Sequence, residues 1–278
     1  MTFFLIPNLT KEKAVKITQD IVRILKSFHA VILMEQPLPA CDAKIMTAQK
    51  AFECCDIIIT IGGDGTMLHT ARENFAFSKP MLGINLGRVG FLATVEPDDL
   101  TDKLERLMTG DYILDQRDAL DVEISGENMF CSTALNDIVI SKSSISQTID
   151  VEVFCDDIPV NHYQGDGVII ATPTGSTAYS LSAGGPVLDA RISGIVVTPI
   201  CAHSLHAPSM VFSSARKLRV AVRGTAQVNA MISCDGRDET SISYADSISV
   251  SLSTKHITLI CFNEADQFDA IDKKLKGR

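Results

Sequence analysis

The stretch "IIITIGGDGTMLHTA" (57–71) places one carboxylate, Asp64, on a loop that is otherwise mostly glycine. A strand that ends in glycines and opens a helix lets backbone N–H groups approach an anion closely. Gly62, Gly63 and Thr66 have the character of such a phosphate loop. The spacing is neither G-x-G-x-x-G nor a Walker A loop, because no G-K-[ST] follows. Asp64 would repel a phosphate unless it has another task. Three tasks suit it: taking a proton from a hydroxyl, holding Mg²⁺, or capping the helix that follows. Read in isolation, capping is favoured, since Asp-Gly turns are common.

A second cluster shifts that balance. "TPTGSTAYSLSAGGP" (172–186) packs Ser, Thr and Tyr hydroxyls among three glycines, directly after the apolar run "GVIIA". Pro173 stops the strand, 174–177 form a turn, and the glycine pair with Pro186 ends a short helix. The bland reading is a Ser/Thr-rich turn held by local caps. The favoured one is contact with a polyhydroxylated or phosphorylated ligand. "LNDIVI" (135–140) sets Asn136 and Asp137 ahead of an apolar strand. Asn can meet a base edge as donor and acceptor, and Asp can accept from ribose hydroxyls. Alone, the pair reads as an Asx turn, and "SCDGR" (233–237) reads as an Asp-Gly turn between strands. Histidines 69, 162, 203 and 206 show no metal spacing, and no C-x-x-C pair suggests zinc.

Those residues need elements to hold them. The first part alternates strands such as "FFLIP", "AVILM" and "DIIITI" with amphipathic helices. One helix begins near Thr10, its expected cap, and carries Ala14, Ile17, Ile21, Ile24, Leu25 and Phe28. "ACDAKIMTAQKAF" and "PDDLTDKLERLMTG" read as two more, the latter ending at Gly110. Nearly all-apolar strands between helices indicate a parallel sheet covered on both faces. From Tyr112 onward, period-two patterns such as "LDVEI", "IDVEVF" and "DSISVSL" predict an antiparallel, half-exposed β domain. "RKLRVAVR" reads as a strand with one wet face. The expected organisation is an α/β domain over 1–110, an all-β domain over 111–255, and a polar tail over 256–278 that returns to the first domain or stays loose.

The 278 residues suit one large domain or two modest ones, and 46% hydrophobic content is ample for a sizeable core. The formal charge is −9 and Trp is absent. The charge argues against nucleic acid and anionic membrane as partners, and the lack of Trp against a stacking surface for single strands. No signal peptide or membrane span is recognised, and the eight cysteines are expected to be reduced, small buried hydrophobes of a cytoplasmic protein.

The ordered set "GGDGTMLHTAR", "MLGINLGRVGFLATVEP", "LND", "GDGVIIATPTGSTAYSLSAGGP" and "SCDG" resembles the NAD kinase family over about 57–236. GGDGT alone is shared with diacylglycerol kinases and phosphofructokinases, whereas the 172–186 run is specific. The resemblance implies an α/β domain plus an all-β domain, usually as a homodimer or homotetramer. It implies phosphorylation of the adenosine 2′-hydroxyl of NAD by ATP, with Mg²⁺ or another divalent cation. Asp64 matches the catalytic aspartate that takes the hydroxyl proton, and Gly65 would approach the ligand by its backbone. Asn136 and Asp137 match the adenine and ribose pair, and Asp166 a ribose-binding acid. Thr177, Ala178, Tyr179, Ser180, Leu181 and Ser182 would line the dinucleotide pocket.

Departures fall at the phosphate and nicotinamide ends. His69 stands where many members carry Arg. Gln147 and Gln164 stand where bacterial members often carry a basic residue, and Arg237 where Gln is common. Few basic side chains lie near these motifs; Arg72 and Arg88 are the nearest, so backbone N–H groups and Mg²⁺ are expected to handle the phosphates. The rival readings are a lipid or sugar kinase with the same loop and a non-catalytic NAD(P)-binding sensor.

Overall fold

The computed structural model describes residues 1–87, 90–144, 147–204, 207–223, 230–263 and 266–276. The chain forms two compact units, one of 1–116 and 257–278, the other of 117–256. It crosses between them within two long strands. In the first unit, β1 (Thr2–Pro7), α1 (Ala14–Ser27), β2 (Val31–Met34), β3 (Lys44–Ile45), α2 (Ala48–Cys54), β4 (Ile57–Gly62), α3 (Asp64–Asn74), β5 (Met81–Asn85) and α4 (Leu100–Thr109) follow in order. The strands pair in parallel as β5-β4-β1-β2-β3, with registers such as Phe4↔Ile58 and Ile58↔Met81. Every residue of β4 is buried, as a sheet covered on both faces demands. α1 places Ala14, Thr18, Ile21, Val22 and Leu25 on one buried stripe, which packs with Leu104 and Leu107 of α4 against Phe3, Ile59 and Ile84. On another strand position, Phe4 meets the edge of Phe52, which stacks on Phe77. Each such fully buried side chain contributes about 1.5–3 kcal/mol.

The second unit is antiparallel. Its strands are the later part of β6 (Ile113–Ser125), β7 (Phe130–Ala134), β8 (Asp137–Lys142), β9 (Ile149–Cys155), β10 (Ile158–Gly165), β11 (Gly167–Ala171), then, after helix α5 (Tyr179–Ser182), β12 (Gly194–Ile200), β13 (Met210–Ser213), β14 (Lys217–Arg223), β15 (Ala230–Cys234), β16 (Arg237–Ile242) and the first part of β17 (Ser247–Cys261). One sheet runs β13-β12-β11-β8-β15-β16. A second joins β10, β9, β14 and β17, and β6 pairs with β7. Ile138, Ile140, Val168 and Ile170 of the first sheet share one core with Val151, Val153, Val220 and Ile248 of the second. The end of β17 enters the first unit beside β5 (Leu259↔Met81), followed by α6 (Asp266–Lys276).

The fold class agrees with the expected α/β unit plus all-β unit. Four local expectations are corrected. Thr10 caps nothing: α1 starts at Ala14, and the Thr10 hydroxyl donates to Asn8 Oδ1 at 2.6 Å. Only Ala48–Cys54 of "ACDAKIMTAQKAF" is helical, because Lys44–Ile45 joins the sheet edge against Leu33 and Met34. The β unit is not half-exposed throughout. β14 alternates as predicted, but β11 and β12 are buried along their whole length. A small core of Val139, Ile169, Ala171 and Val196, covered by Ala183 and Leu188, closes their other face. The cysteines form no disulfide, and Cys54, Cys131 and Cys201 are exposed rather than buried. Cys55 does behave as an inert core residue, its thiol pushed up to about 11 by burial. Among the described residues no helix is long and apolar enough to cross a membrane.

Candidate active site

Gly62 ends β4 at the carboxyl end of the parallel sheet, where ligands bind in open α/β folds. Gly63 is extended, and α3 begins at Asp64 itself. Asp64 therefore does not cap the helix; no side-chain cap bond is present. Its carboxylate reaches across to the loop after β5. Oδ2 accepts the Phe91 N–H at 2.8 Å, and Oδ1 accepts those of Leu92 and Ala93 at 3.0 and 3.1 Å. Gly90 permits this, since a Cβ there would overlap Asp64 Oδ1. Sequence reasoning missed this tether. The stretch "GRVGFLA" carried a family likeness but no chemical signal of its own.

Around Asp64 the same sheet edge gathers further polar groups. Asn8, just past β1, donates to Thr66 Oγ1 at 3.3 Å, and Asn85 at the end of β5 donates to Glu96 at 3.0 Å. Gly65 is exposed in the first turn of α3, with nothing within 4 Å of where its Cβ would stand. His69 is exposed one turn on, and Arg72 is half-buried in the last turn of α3. Arg88 lies outside the described residues, as does His206. Behind the Asp64 loop, Gly90 and Ala93 border a cleft of about 350 Å³. Lys103, Arg106 and Lys273 line it, but so do Glu96, Asp99 and Asp269, so it offers no net positive field to a polyphosphate.

In the β unit, the hydroxyl-rich loop is clasped to the Asn136–Asp137 segment. Thr172 donates its N–H to the Asn136 carbonyl at 2.9 Å and its hydroxyl to the Leu135 carbonyl at 2.6 Å. Most of the hydroxyls serve the loop itself. Ser176 donates to the Pro173 carbonyl at 2.6 Å, Thr177 to that of Thr174 at 3.2 Å, and Ser180 shares a 2.8 Å bond with Thr198. All three are buried. The density of hydroxyls in the sequence thus reflects turn-building as well as any ligand. The exposed members of 177–182 are Tyr179, 46% exposed, and Ser182, with Ala178 and Leu181 half-buried.

Asp137 is buried and accepts the Tyr179 N–H. Its carboxyl is raised to about 7, first by burial and then by the negative charge of Asp235. Asp166, at the other end of the strand pair, meets Lys142 Nζ at 2.6 Å. Gln147 and Gln164 are exposed. Asp235 and Gly236 form the expected turn, with φ of 52° and 69°. Among the described residues, no group of three or more His, Cys, Asp or Glu side chains is arranged to hold a metal ion.

A carboxylate fixed on a glycine loop at the carboxyl end of a parallel sheet, in a chain that also carries a β unit with a tethered Asn-Asp segment, is the build of a two-domain nucleotide-handling protein. Comparison with known proteins names the family. The family model for the ATP-NAD kinase N-terminal domain matches residues 3–112, and that for the ATP-NAD kinase C-terminal domain matches 135–262. An NAD kinase of Caldanaerobacter subterraneus subsp. tengcongensis is 35% identical over 98% of each chain. One of Acetivibrio thermocellus is 34% identical over 99% of this chain and 96% of its own. The chain belongs to the NAD kinase family. The fold is shared with yeast NADH kinase, solved in complex with NADH (TM-score 0.84, 22% identity, 99% of this chain and 87% of that one). It is also shared with an NAD kinase from Archaeoglobus fulgidus, solved in complex with ATP (TM-score 0.78, 24% identity, 98% of each chain).

Proposed function

We propose that this protein transfers the γ-phosphoryl group of ATP to the 2′-hydroxyl of the adenosine ribose of NAD, giving NADP and ADP, with Asp64 as general base. The observation that carries the assignment of Asp64 is its carboxylate, oriented by three main-chain N–H groups beside a glycine with open space at its Cβ position. Asp64 accepts the hydroxyl proton as the ribose oxygen attacks the γ-phosphorus. The new O–P bond forms, the bond from γ-phosphorus to the bridging oxygen breaks, and ADP leaves with that oxygen. Asn136 is assigned to the adenine edge, Asp137 to ribose hydroxyls, and Asp166, held by Lys142, to the second ribose. Within 177–182, the exposed Tyr179 ring and the main chain face the dinucleotide. His69, Gln147 and Gln164 set the phosphate and nicotinamide ends. Gly62, Gly63 and Thr66 form the phosphate loop. A divalent cation belongs to the nucleotide substrate, its ligands mainly phosphate oxygens. Its free thiols suit a reducing, cytoplasmic compartment, and a homodimer or homotetramer completes the assignment.

Incubation with ATP and Mg²⁺ plus NAD is expected to yield NADP, with no product from diacylglycerol or fructose 6-phosphate. Calorimetric binding of NAD without NADP formation would instead make the protein a sensor. Gly65→Ala gives a sharper test of the loop. Alanine is the better helix former by about 1 kcal/mol, so the melting temperature should hold or rise. Turnover should nonetheless fall, by roughly 10²-fold, because the methyl displaces substrate from the close backbone approach. An alanine variant with unchanged kcat/KM rules that approach out.

A further inference from the structure

We infer that Asp235 is a positioning residue for nucleoside recognition: without touching substrate, it fixes the Asn136–Asp137 segment through main-chain hydrogen bonds. This deepens the proposed function and rests on its assignment of Asp137 to the ribose.

The geometry is a three-fold tether between strands far apart in sequence. Asp235 Oδ2 accepts the Leu135 N–H at 2.9 Å. Its Oδ1 accepts those of Asn136 and Asp137 at 2.8 and 3.2 Å. The Asp235 N–H returns a bond to the Asp137 carbonyl at 2.9 Å. The positive φ values at Asp235 and Gly236 point the hairpin turn back at β8, so the aspartate is held where its side chain can span the whole segment. From the opposite side, Thr172 takes the Leu135 and Asn136 carbonyls. The Asn-Asp pair is thus clamped through both its donors and its acceptors, leaving its side chains in defined directions.

The charge effect follows from the same placement. Among the described side chains, the ionisable groups on the elements packed against Asp137 are Tyr179 on α5 and Cys234, Asp235, Arg237 and Glu239 on the β15–β16 hairpin; β11 brings none. Of these only Asp235 exerts a resolved charge effect, adding to burial to raise the Asp137 carboxyl to about 7. The sign is fixed. Below that pH Asp137 is protonated and a poorer acceptor; above it the carboxylate accepts ribose hydroxyls. NAD binding should strengthen as pH rises through neutrality. Removing the Asp235 charge leaves burial in place, so the transition moves to lower pH without reaching the ordinary carboxylate range.

The test is the pH profile of kcat/KM for NAD, with calorimetric NAD affinity at about pH 6 and about pH 8. Wild type is expected to gain roughly tenfold between them. Asp137→Asn should flatten this limb; if it keeps the limb and full affinity, the ribose assignment itself fails, whatever Asp235 does. Asp235→Asn should keep the limb, move its midpoint down by on the order of one unit, and raise KM more than it lowers kcat. Asp235→Glu keeps the charge but mis-spans the tether, so it should leave the midpoint in place and still raise KM. A midpoint unmoved in Asp235→Asn, or a wild-type KM in Asp235→Glu, overturns the inference. Should Asp235→Asn fail to fold, the glutamate variant alone decides on KM.

Discussion

Asp64→Asn is expected to lower kcat by ~10²-fold or more, the usual contribution of a positioned base. The substitution is not a pure change of chemistry. The Asp64 carboxylate accepts three main-chain N–H groups, two at Oδ1 and one at Oδ2. An Asn can serve the pair from Leu92 and Ala93 with its oxygen, but its NH₂ then faces the Phe91 N–H. That conflict should destabilise the fold by about 1–3 kcal/mol, a fall in melting temperature of several degrees. A loop-anchoring role and a base role therefore both predict some loss, and Gly90→Ala separates them. Its methyl presses on Asp64 Oδ1 and disturbs the same contact while the carboxylate stays. If Asp64 is the base, Asp64→Asn should be far slower than Gly90→Ala, with calorimetric NAD affinity nearly kept. Equal losses of turnover in the two variants would reduce Asp64 to an anchor.

Gly175→Ala has the second largest expected effect. A Cβ at Gly175 would overlap the carbonyl oxygen, carbonyl carbon and Cα of Asn136, all main-chain atoms with no rotamer to move aside. Asn136 cannot yield cheaply, because its N–H is held by Asp235 and its carbonyl by Thr172. Overpacking of this kind costs about 1–3 kcal/mol, a melting-temperature drop on the order of 5 °C. Whatever relief the chain finds must shift either the 172–177 turn or the Asn-Asp pair. KM for NAD should therefore rise roughly tenfold or more, beyond what the lost stability explains, with kcat affected less. Calorimetry and steady-state kinetics on one preparation check both, and an unchanged KM would mean that the clasp does not position the nucleoside.

Several features were legible without coordinates because their causes are local. The all-apolar run before GGDGT predicts a strand buried on both faces, and all of β4 is buried. Gly110 ends α4 in the left-handed conformation, φ 79°, as its place after an amphipathic stretch predicts. Asp235-Gly236 is a turn for the same kind of reason. The expectations that failed did so in two ways: a strand partner outcompeted helix at Lys44–Ile45, and short-range acceptors took hydroxyls that read as cap or ligand donors. α1 starts only at Ala14, so Thr10 bonds Asn8 Oδ1 instead of capping it, and Lys44–Ile45 left a helical pattern to extend the sheet edge. The Ser and Thr of 172–180 read as ligand donors in sequence, yet several are buried and bonded to their own loop or to Thr198.

Composition, periodicity and turn chemistry by themselves determined that this chain has an α/β unit and a β unit, and its motifs in order pointed to the NAD kinase family. Those properties depend on residues a few positions apart, so the sequence displays them directly. Only the tertiary structure decided what the aspartates do. Asp64 bonds to residues 27 to 29 positions away, and Asp235 to residues 98 to 100 away. Each read as a cap or a turn because those are the short-range options of an Asp-Gly pair. Folding offered each carboxylate three aligned main-chain N–H groups, in place of a cap for Asp64 and in addition to the turn for Asp235. Such charge-assisted bonds are individually stronger than neutral ones and here satisfy three donors at once, which a local cap cannot match.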